Sequence, residues 1–392
     1  MPVTPHDASP VGEDEHGTLE DRSIAALAGA AIGDALGGAA EGNPPEDIQS
    51  RYGGYITGIV PPFFDDWRDA RPIAPYHKGD GHITDDTLMS MTLVDVYAAV
   101  RDHLDAFAMA EHFVPRLIGE KRWIPELETE ALLLQRVFLA EKWMVARLHY
   151  GHVDPREAGV GNIVNCGAAM YVAPVGIANA ADPAGAYAEA IDIAGAHQSS
   201  YGREAAGVFA ATVAEAMRPG ATPTTVASTA IEVAHDGTRA AIVAVVEAAN
   251  GLDDWRAALP ALRAAVEPFD TVGPHYRQPG LDARLPSRTK AIEELPIAIG
   301  MLLVAGGDYR ESVLGSVNYG RDSDSIASMA GALAGALGGR SSLPGDWQDA
   351  VASASRVDLA APGATMAAVT REIWERDAAR AEAVASARTS YR

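Results

Sequence analysis

The sequence lacks the cysteines on which small disulfide-bonded domains and many zinc sites depend. Its 392 residues include one cysteine, Cys166, which excludes an internal disulfide framework and a cysteine-based zinc site. We expect such a chain to work in a reducing, cytoplasmic environment. We interpret Cys166 as a small buried residue and not as a nucleophile, because the sequence offers it no identifiable base partner.

Basic runs and long apolar runs are also missing. The formal net charge is −22, and no cluster of Lys or Arg could follow a phosphate backbone, so nucleic acid is not an expected partner. The longest apolar run, residues 24–40, is rich in Ala and Gly and carries Asp34. It predicts a buried core helix and no membrane span. Residues 1–20 lack a signal-peptide pattern and predict a disordered tail.

Strand-like alternation is scarce, whereas helical spacing of apolar residues recurs along the chain. The predicted fold is all-α, a multi-helix bundle in one domain of residues 21–345. A C-terminal helical extension, residues 346–392, is expected to pack on the same domain. The longer predicted helices include residues 84–100, 126–149 and 365–388.

Glycines recur at a spacing of four residues in two predicted helices. Gly29, Gly33 and Gly37 form one such row, and Gly331 and Gly335 belong to another. Each glycine costs a helix about 1 kcal/mol relative to alanine. Rows in register therefore predict that these helices pack very closely, either on each other or on a neighbour.

Residues 42–83, between the first two predicted helices, form a predicted long loop that is rich in Pro and Gly. A loop of this length is usually either functional or disordered. Its aromatic side chains favour an ordered lid or the wall of a substrate site. The aromatic residues are Tyr52, Tyr55, Phe63, Phe64, Trp67 and Tyr76.

Two acidic motifs stand at the starts of predicted helices, Thr84-Asp85-Asp86-Thr87 and Asp322-Ser323-Asp324-Ser325. Either motif alone is explained by helix capping, because hydroxyl side chains cap the first turn and acids there complement the helix dipole. Together they bring more negative charge than capping needs. Carboxylate and hydroxyl oxygens are the ligands that hard divalent cations prefer. We therefore predict a site for two Mg²⁺ ions, which could orient sugar hydroxyls and activate a water molecule.

Three spaced motifs resemble those of the ADP-ribosylglycohydrolase family. Residues 29–37 with Glu41 resemble its first-helix motif, and residues 84–87 resemble its first metal motif. Residues 318–335 resemble its second metal motif and the helix that follows. The order and spacing cover residues 22–340. The family includes dinitrogenase-reductase-activating glycohydrolases and ADP-ribosyl hydrolases directed at arginine and serine.

The resemblance implies an orthogonal all-α fold around a binuclear magnesium centre, with Mn²⁺ as the alternative ion. The family usually has Thr at the position of Ser325, and serine keeps the ligand oxygen while lacking a methyl group. The metal ligands implied by the matching motifs are Thr84, Asp85, Asp86, Asp322, Asp324 and Ser325.

The resemblance also implies two catalytic acids, Glu41 and Asp324. Glu41 stands where the family has an acid near the scissile ribose bond, as a proton-transfer partner or an acid that contacts the metal. For Asp34 we favour hydrogen bonding to the site over direct catalysis, because a buried unpaired carboxylate is costly. Arg321 stands where many members have Gly. It could pair with one of the acids or with a substrate phosphate, or be a surface arginine.

Residues 161–170 resemble the family loop Gly-Asn-Gly-Ala-Ala-Met-Arg, whose amides cradle the diphosphate and ribose. Here Asn165 replaces the first Gly, Cys166 replaces the Asn, and Tyr171 replaces the Arg. These departures weaken the expectation that the diphosphate binds. His197 could hydrogen-bond an acid, line the pocket or serve only the structure. The implied substrate-binding residues are Asn165, Gly167, Ala168 and His197.

The resemblance implies a Mg²⁺-dependent hydrolase of the glycosidic bond at ribose C1 of an ADP-ribosylated substrate. The partner is then an ADP-ribose-containing or riboside small molecule, or an ADP-ribosylated protein. Three alternatives stay open: a hydrolase of a small-molecule riboside or ADP-ribosyl metabolite, which the altered middle loop favours; a non-catalytic ADP-ribose-binding protein; and a Mg²⁺-dependent phosphohydrolase. The sequence leaves the substrate linkage and the oligomeric state open.

Overall fold

The computed structural model describes residues 17–68, 78–269 and 292–391. These residues form α-helices, short 3-10 and π-helical turns and one small sheet, so the predicted all-α fold is confirmed. In the sheet, β1 (Lys121–Ile124) pairs with β2 (Thr129–Leu132) in antiparallel orientation. The α-helices are, in chain order, α1 Leu19–Gly38, α2 Pro45–Tyr52, α3 Asp85–Val100, α4 Ala106–Ala108, α5 Val114–Gly119, α6 Leu139–Val145, α7 Ala173–Ala178, α8 Pro183–Gly195, α9 Ser200–Ala216, α10 Pro223–Val233, α11 Asp236–Ala249, α12 Trp255–Val266, α13 Glu294–Val304, α14 Tyr309–Tyr319, α15 Ser323–Gly338, α16 Gly345–Ser355 and α17 Ala361–Thr389.

Helix α1 lies directly against α15, and glycine makes this approach possible. A Cβ atom added at Gly33 would stand 2.1 Å from the carbonyl oxygen of Ala327, and one at Gly37 would stand 2.3 Å from that of Ser323. Real Cβ atoms do not come this close to backbone oxygens. The predicted close packing of the glycine rows is therefore confirmed. The two helices run antiparallel, so the start of α15 lies beside the end of α1.

Almost every residue of α1 and α15 is buried, including the carboxylates Asp34 and Asp324. Small side chains dominate both helices, so the two backbones can form the centre of the bundle. Across residues 17–68, 78–269 and 292–391, no helix has both the length and the apolar character that a bilayer crossing requires.

Helix α1 begins at Leu19, inside the predicted tail of residues 1–20, because Thr18 caps it. The Thr18 hydroxyl accepts a hydrogen bond from the Asp21 amide at 3.1 Å. Residues 1–16 lie outside the described part of the chain. The predicted tail of residues 1–20 is therefore too long at its C-terminal end, because the hydrogen bond of Thr18 starts α1 at Leu19.

The single helix predicted for residues 126–149 is wrong. The chain there forms β2, then α6 and a π-helical turn, Ala146–Tyr150. Between β2 and α6, the fully buried Arg136 donates a hydrogen bond to Glu126 at 2.9 Å. The buried pair of Arg136 and Glu126 therefore interrupts the helix that apolar spacing predicted for residues 126–149.

The prediction of a loop throughout residues 42–83 is wrong in part, because the segment contains a helix, α2. Tyr52 and Phe63 meet edge to face with ring centroids 6.3 Å apart, and Trp67 is buried. Tyr76 lies outside the described residues. Tyr52, Phe63 and Trp67 are thus packed on the protein, and contact of the loop's aromatic side chains with a substrate stays a prediction.

The C-terminal helix α17 packs its first half on the bundle. Met366, Val369 and Ile373 are buried, whereas most residues after Ile373 are exposed. Its principal packing partner is α1, and it also contacts α3 and α7. The division of the chain into a domain and an extension stays a prediction.

His103 connects α17 with α8. Its Nδ1 lies 2.6 Å from the carboxylate of Glu189 on α8, and its Nε2 lies 3.0 Å from Asp377 on α17. Glu189 also accepts a hydrogen bond from the Tyr97 hydroxyl at 2.7 Å. The hydrogen bond with Glu189 is the largest favourable cause that raises the pKa of His103 to about 9. The protonated imidazole is therefore the stable form at neutral pH.

The contact of α1 with α15 leads to a stability prediction. Gly33→Ala places a methyl group against the Ala327 carbonyl, so we expect the helices to separate and the free energy of unfolding to fall by about 1–3 kcal/mol or more. Urea denaturation followed by circular dichroism measures the loss. The control is Gly119→Ala, because an added Cβ at this helical glycine meets open space and alanine favours the helix. Equal stability of the two variants would contradict the packing.

His103 predicts how stability depends on pH. A histidine pKa raised from 6.5 to about 9 on folding stabilises the protein fully below about pH 6.5, and this contribution is lost as pH rises through about 9. We expect His103→Gln to lower the free energy of unfolding by on the order of 2 kcal/mol at about pH 6 and by much less at about pH 10. Urea denaturation at both pH values measures the difference, with the exposed His149→Gln as control. The same loss at both pH values would refute the role of the charged imidazole.

Candidate metal centre and active site

Acidic side chains from separate segments of the chain meet where α1 ends and where α3 and α15 begin. Carboxylate oxygens of Asp34, Asp86 and Asp324 lie within 4.8 Å of one another. Those of Glu41, Asp322 and Asp324 form a second group with the same spacing. Asp324 belongs to both groups. The N-termini of α3 and α15 contribute partial positive charge that offsets a fraction of this negative charge.

Asp34 organises the start of α3. Its carboxylate accepts hydrogen bonds from the Thr84 hydroxyl at 2.5 Å and the Thr84 amide at 2.9 Å. It also accepts hydrogen bonds from the amide and the hydroxyl of Thr87. The Thr84 hydroxyl donates a hydrogen bond to Asp34. The lone pairs of the Thr84 oxygen are therefore left for a cation. This geometry supports both the hydrogen-bonding role predicted for Asp34 and Thr84 as a candidate ligand.

The carboxylate of Asp86 lies inside the protein beside those of Asp34 and Asp324. It is 2% exposed, and its Oδ1 has no hydrogen-bond partner among the residues that the structure describes. Burial, followed by the charges of Asp324 and Asp34, raises the pKa of Asp86 well above its usual range. A buried carboxylate is costly unless a cation or a proton compensates it. Carboxylate and hydroxyl oxygens at this density fit hard divalent cations such as Mg²⁺ and Mn²⁺.

The first turn of α15 presents Asp322, Asp324 and Ser325 together. The Ser325 amide donates to the Asp324 carboxylate at 2.9 Å. The Ser323 hydroxyl donates to the Gly37 carbonyl at 2.8 Å, which attaches this turn to the end of α1. Asp324 and Ser325 are buried, whereas Asp322 is half-buried. The ligand role of all three stays a prediction that the geometry supports.

Asp85, the neighbour of Asp86, has a different partner. Its Oδ1 lies 3.0 Å from Nη1 of the buried Arg136, which also pairs with Glu126. Within the described residues, Asp85 belongs to neither acidic group. A metal-ligand role for Asp85 therefore stays a prediction, whereas its ion pair with Arg136 accounts for its burial.

Glu41 and Arg321 are joined through the loop that follows α1. The Gly42 amide donates to the Arg321 carbonyl at 2.5 Å, and the Arg321 amide donates to the Asn43 carbonyl at 2.8 Å. The Arg321 side chain is buried, and its Nε lies 2.8 Å from Glu293, so the surface-arginine alternative is wrong. These hydrogen bonds hold the half-buried Glu41 beside the start of α15.

Cys166 also borders the acidic groups. Its Sγ lies 3.4 Å from Oδ2 of Asp322 and 3.4 Å from the Ser325 hydroxyl. Burial, followed by the carboxylates of Asp322 and Glu294, raises the pKa of Cys166 well above its usual range. A thiol held in the protonated form is a poor nucleophile, in agreement with its interpretation as a non-nucleophilic buried residue.

Asn165, Gly167 and Ala168 form the turn that carries Cys166. The Asn165 side-chain oxygen accepts hydrogen bonds from the Gly167 amide at 3.0 Å and from Gln198 Nε2 at 2.7 Å. Gly167 and Ala168 are buried. The turn is therefore well ordered beside the acidic groups, and contact of its three predicted residues with a substrate stays a prediction.

His197 lies behind this turn and is 0% exposed. Its Nδ1 is 3.2 Å from the Tyr171 hydroxyl, and its Nε2 is 3.3 Å from Oε1 of the buried Glu141. The rings of His197 and Tyr171 stack at 5.8 Å. Full burial favours a supporting role, so direct contact of His197 with a substrate stays a prediction.

The sequence interpretation missed several charged residues around the site. Glu293 and Glu294 did leave a signal, because two adjacent acids at the start of the apolar helix α13 need partners inside the protein. Glu126, Arg136 and Glu141 pair with residues in other elements of the chain, and no local sequence pattern indicates such pairs. The missed residues are Glu126, Arg136, Glu141, Glu293 and Glu294.

Comparison with known proteins agrees with the fold. The family model described as ADP-ribosylglycohydrolase matches residues 15–383. The chain is similar to an uncharacterized protein of Archaeoglobus fulgidus, with 28% identity over 82% of this chain and 88% of that protein. It is also similar to the ADP-ribosylarginine hydrolase Tri1 of Pseudomonas putida, with 25% identity over 85% of this chain and 74% of that protein.

A solved structure, an ADP-ribosylglycohydrolase-related protein complex, superposes with a TM-score of 0.57 at 22% identity. The alignment covers 91% of this chain and 99% of that chain. At this identity the likeness concerns the fold, and it extends over the whole helical bundle described above.

The acidic centre predicts that divalent cations stabilise the fold. At a concentration 100 times its dissociation constant, Mg²⁺ or Mn²⁺ is expected to add about 2.7 kcal/mol to the free energy of unfolding, and EDTA is expected to remove this gain. Asp86→Asn deletes one buried negative charge, so we expect it to stabilise the cation-free protein and to abolish most of the cation effect. Thermal denaturation with and without cation measures both.

The control is Asp346→Asn, since Asp346 also lies in the first turn of a helix but is exposed. This variant is expected to retain the full response to Mg²⁺. If Asp86→Asn is stabilised by Mg²⁺ as much as the unmodified protein, Asp86 is not a ligand.

Proposed function

Since the chain belongs to the ADP-ribosylglycohydrolase family, we propose that it is a cation-dependent hydrolase that cleaves the bond at ribose C1 of an ADP-ribosylated substrate. The observation that carries this proposal is the meeting of five acids from three distant segments in two groups that share one member. Helix capping would explain the segments of Asp86 and of Asp322 and Asp324 alone, but not their convergence with Asp34 and Glu41. The five acids are Asp34, Glu41, Asp86, Asp322 and Asp324.

We propose two Mg²⁺ ions as the cofactor, with Mn²⁺ as the alternative. Asp86 and the Thr84 hydroxyl would hold one ion, Asp322 and Ser325 the other, and Asp324 would serve both. Bound there, the ions would polarise the ribose 2′ and 3′ hydroxyls and a water molecule. The sharing of Asp324 between the two acidic groups supports a pair of ions and not a single one.

The side chains of the centre have distinct tasks in the hydrolysis. The half-buried Glu41 accepts a proton from the attacking water and returns it to the leaving group. As the bond from C1 to the leaving group breaks and the bond to water oxygen forms, positive charge develops on the ribose ring. The carboxylate of Asp324, held by the Ser325 amide at 2.9 Å, stabilises this charge.

Two substrate classes follow from the comparisons and the middle loop. A leaving guanidinium, as in ADP-ribosyl-arginine, is the first candidate because one similar protein is named ADP-ribosylarginine hydrolase. A small riboside or ADP-ribosyl metabolite is the second candidate. It is favoured by Cys166 and Tyr171, which are 4% and 0% exposed and so offer little to a diphosphate.

A substrate panel tests the function. ADP-ribosyl-arginine, ADP-ribosyl-serine, O-acetyl-ADP-ribose and simple nucleosides are incubated with and without Mg²⁺, and released products are separated by chromatography. We expect release of ADP-ribose or ribose that requires the cation. Failure to hydrolyse every substrate, combined with tight calorimetric binding of ADP-ribose, would instead identify a binding protein. Release of phosphate would identify a phosphohydrolase.

Glu41→Gln tests the proton transfer. Because a general acid–base group contributes about 10²- to 10⁴-fold, we expect kcat to fall by this factor with little change in KM. The control is Glu46→Gln, an exposed acid that lies five residues further along the same segment. An unchanged kcat in Glu41→Gln would exclude Glu41 as the proton-transfer group.

A further inference from the structure

We propose that Arg136 is a positioning residue of the acidic centre. It binds Asp85, keeps this carboxylate away from the cations, and so lowers the affinity of the centre for Mg²⁺. The proposal rests on the proposed function, because it presupposes a cation centre. It departs from the family resemblance, which implied that Asp85 and Asp86 are both ligands. The two adjacent acids here have different tasks, and Arg136 determines which of them meets the cation.

Arg136 is buried between two carboxylates. Its Nη1 lies 3.0 Å from Oδ1 of Asp85, and its Nη2 donates to Oε1 of Glu126 at 2.9 Å. Its Nε donates to the other oxygen of Glu126. Glu126 thus pairs with the planar guanidinium at two points, which fixes its orientation and directs Nη1 at Asp85. Each of the three side chains belongs to a residue that is at most 2% exposed.

The small sheet supplies both members of this pair. Glu126 lies in the turn Pro125–Leu127, which joins β1 to β2. Arg136 follows the turn Leu133–Gln135, which comes directly after β2. Because Glu126 and Arg136 belong to one hairpin and its continuation, the guanidinium is already oriented when it meets Asp85 on α3. The hairpin therefore has a role at the acidic centre.

The ion pair separates Asp85 from the acidic groups. One carboxylate oxygen of Asp86 lies within 4.8 Å of those of Asp34 and Asp324, whereas neither described group contains Asp85. A cation that reached Asp85 would also come close to the guanidinium, and like charges repel strongly in a buried region. Arg136 therefore takes the place on Asp85 that a metal ion would otherwise take.

Stability alone gives little reason for these buried charges. Replacing a buried ion pair by apolar side chains of similar volume is often neutral or stabilising. Apolar side chains could therefore fill the space between the hairpin and α3 without loss of stability. They could not hold a carboxylate in a fixed direction. The orientation of Asp85 by Arg136 accounts for the pair where stability does not.

Calorimetric titration of the full-length protein with Mg²⁺ tests this role. In Arg136→Met combined with Glu126→Gln, Asp85 loses the guanidinium as its counterion. We therefore expect Mg²⁺ affinity to rise roughly 10-fold while the cation-free protein becomes less stable. A merely structural role would weaken Mg²⁺ binding together with stability. Adding Asp85→Asn to this double variant is expected to return the affinity to that of the unmodified protein.

Asp85→Asn alone covers the case in which the double variant fails to fold, because it keeps an oxygen for Arg136. We expect it to change Mg²⁺ affinity by less than about 3-fold, whereas Asp86→Asn lowers the affinity by roughly 10-fold or more. The control is Arg122→Met. Arg122 lies on β1 of the same hairpin and also pairs with an acid on α3, Asp95, at 2.6 Å. This variant is expected to leave Mg²⁺ affinity unchanged.

The outcomes separate the role of Arg136 from the proposed function. If Asp85→Asn loses as much Mg²⁺ affinity as Asp86→Asn, Asp85 is a ligand and the proposal is overturned. An unchanged or lower affinity in the folded double variant of Arg136 and Glu126 would also overturn it. In both cases the cation centre itself stands. If the unmodified protein binds no Mg²⁺, the proposed function and the role of Arg136 fail together.

Discussion

The backbone of α1 rests against the backbone of α15, and the acidic centre depends on this contact. At Gly33 and Gly37 the carbonyl oxygens of α15 occupy the space that a side chain would need. Glycines cost each helix about 1 kcal/mol apiece, and close packing of the two helices offsets this cost. Because the helices are antiparallel, Asp34 and Glu41 on one side face Asp322 and Asp324 on the other.

The contact of α1 with α15 also brings several carboxylates close together. Other residues of the protein compensate the charge of some of these carboxylates. Asp34 is satisfied by the hydroxyls and amides of Thr84 and Thr87, and Asp85 is paired with Arg136. Asp86 lacks such compensation for one of its oxygens within the described residues. The hydrogen bonds and ion pair of Asp34 and Asp85 therefore stabilise the start of α3. The acids around Asp86 and Asp324 are the ones that could hold a cation.

The sequence predicted those features of the site that depend on neighbouring residues of one helix. Helix spacing, glycine rows and acids at helix starts are visible within a few residues, and they correspond to α1, α3 and α15. The roles of Asp85 and Asp86 illustrate the limit. Adjacent helical residues point about 100° apart, so one of the two turns away from the cluster. Which one does so depends on Arg136, a residue some fifty positions later in the chain.

Other differences have the same origin. Arg321 was open to three interpretations, and its pairing with Glu293 is decided by the packing of α13 against the start of α15. His197 is buried because Tyr171 and Glu141 come from separate elements to surround it. A sequence pattern records the spacing of residues along one element, but such contacts are made between elements.

The most direct measurement is anomalous diffraction from crystals of the protein soaked in Mn²⁺. We expect two manganese peaks joined by Asp324, one beside Asp86 and the other beside Asp322. The absence of manganese from this cluster at saturating concentration, or peaks confined to other parts of the protein, would contradict a binuclear centre built from these acids.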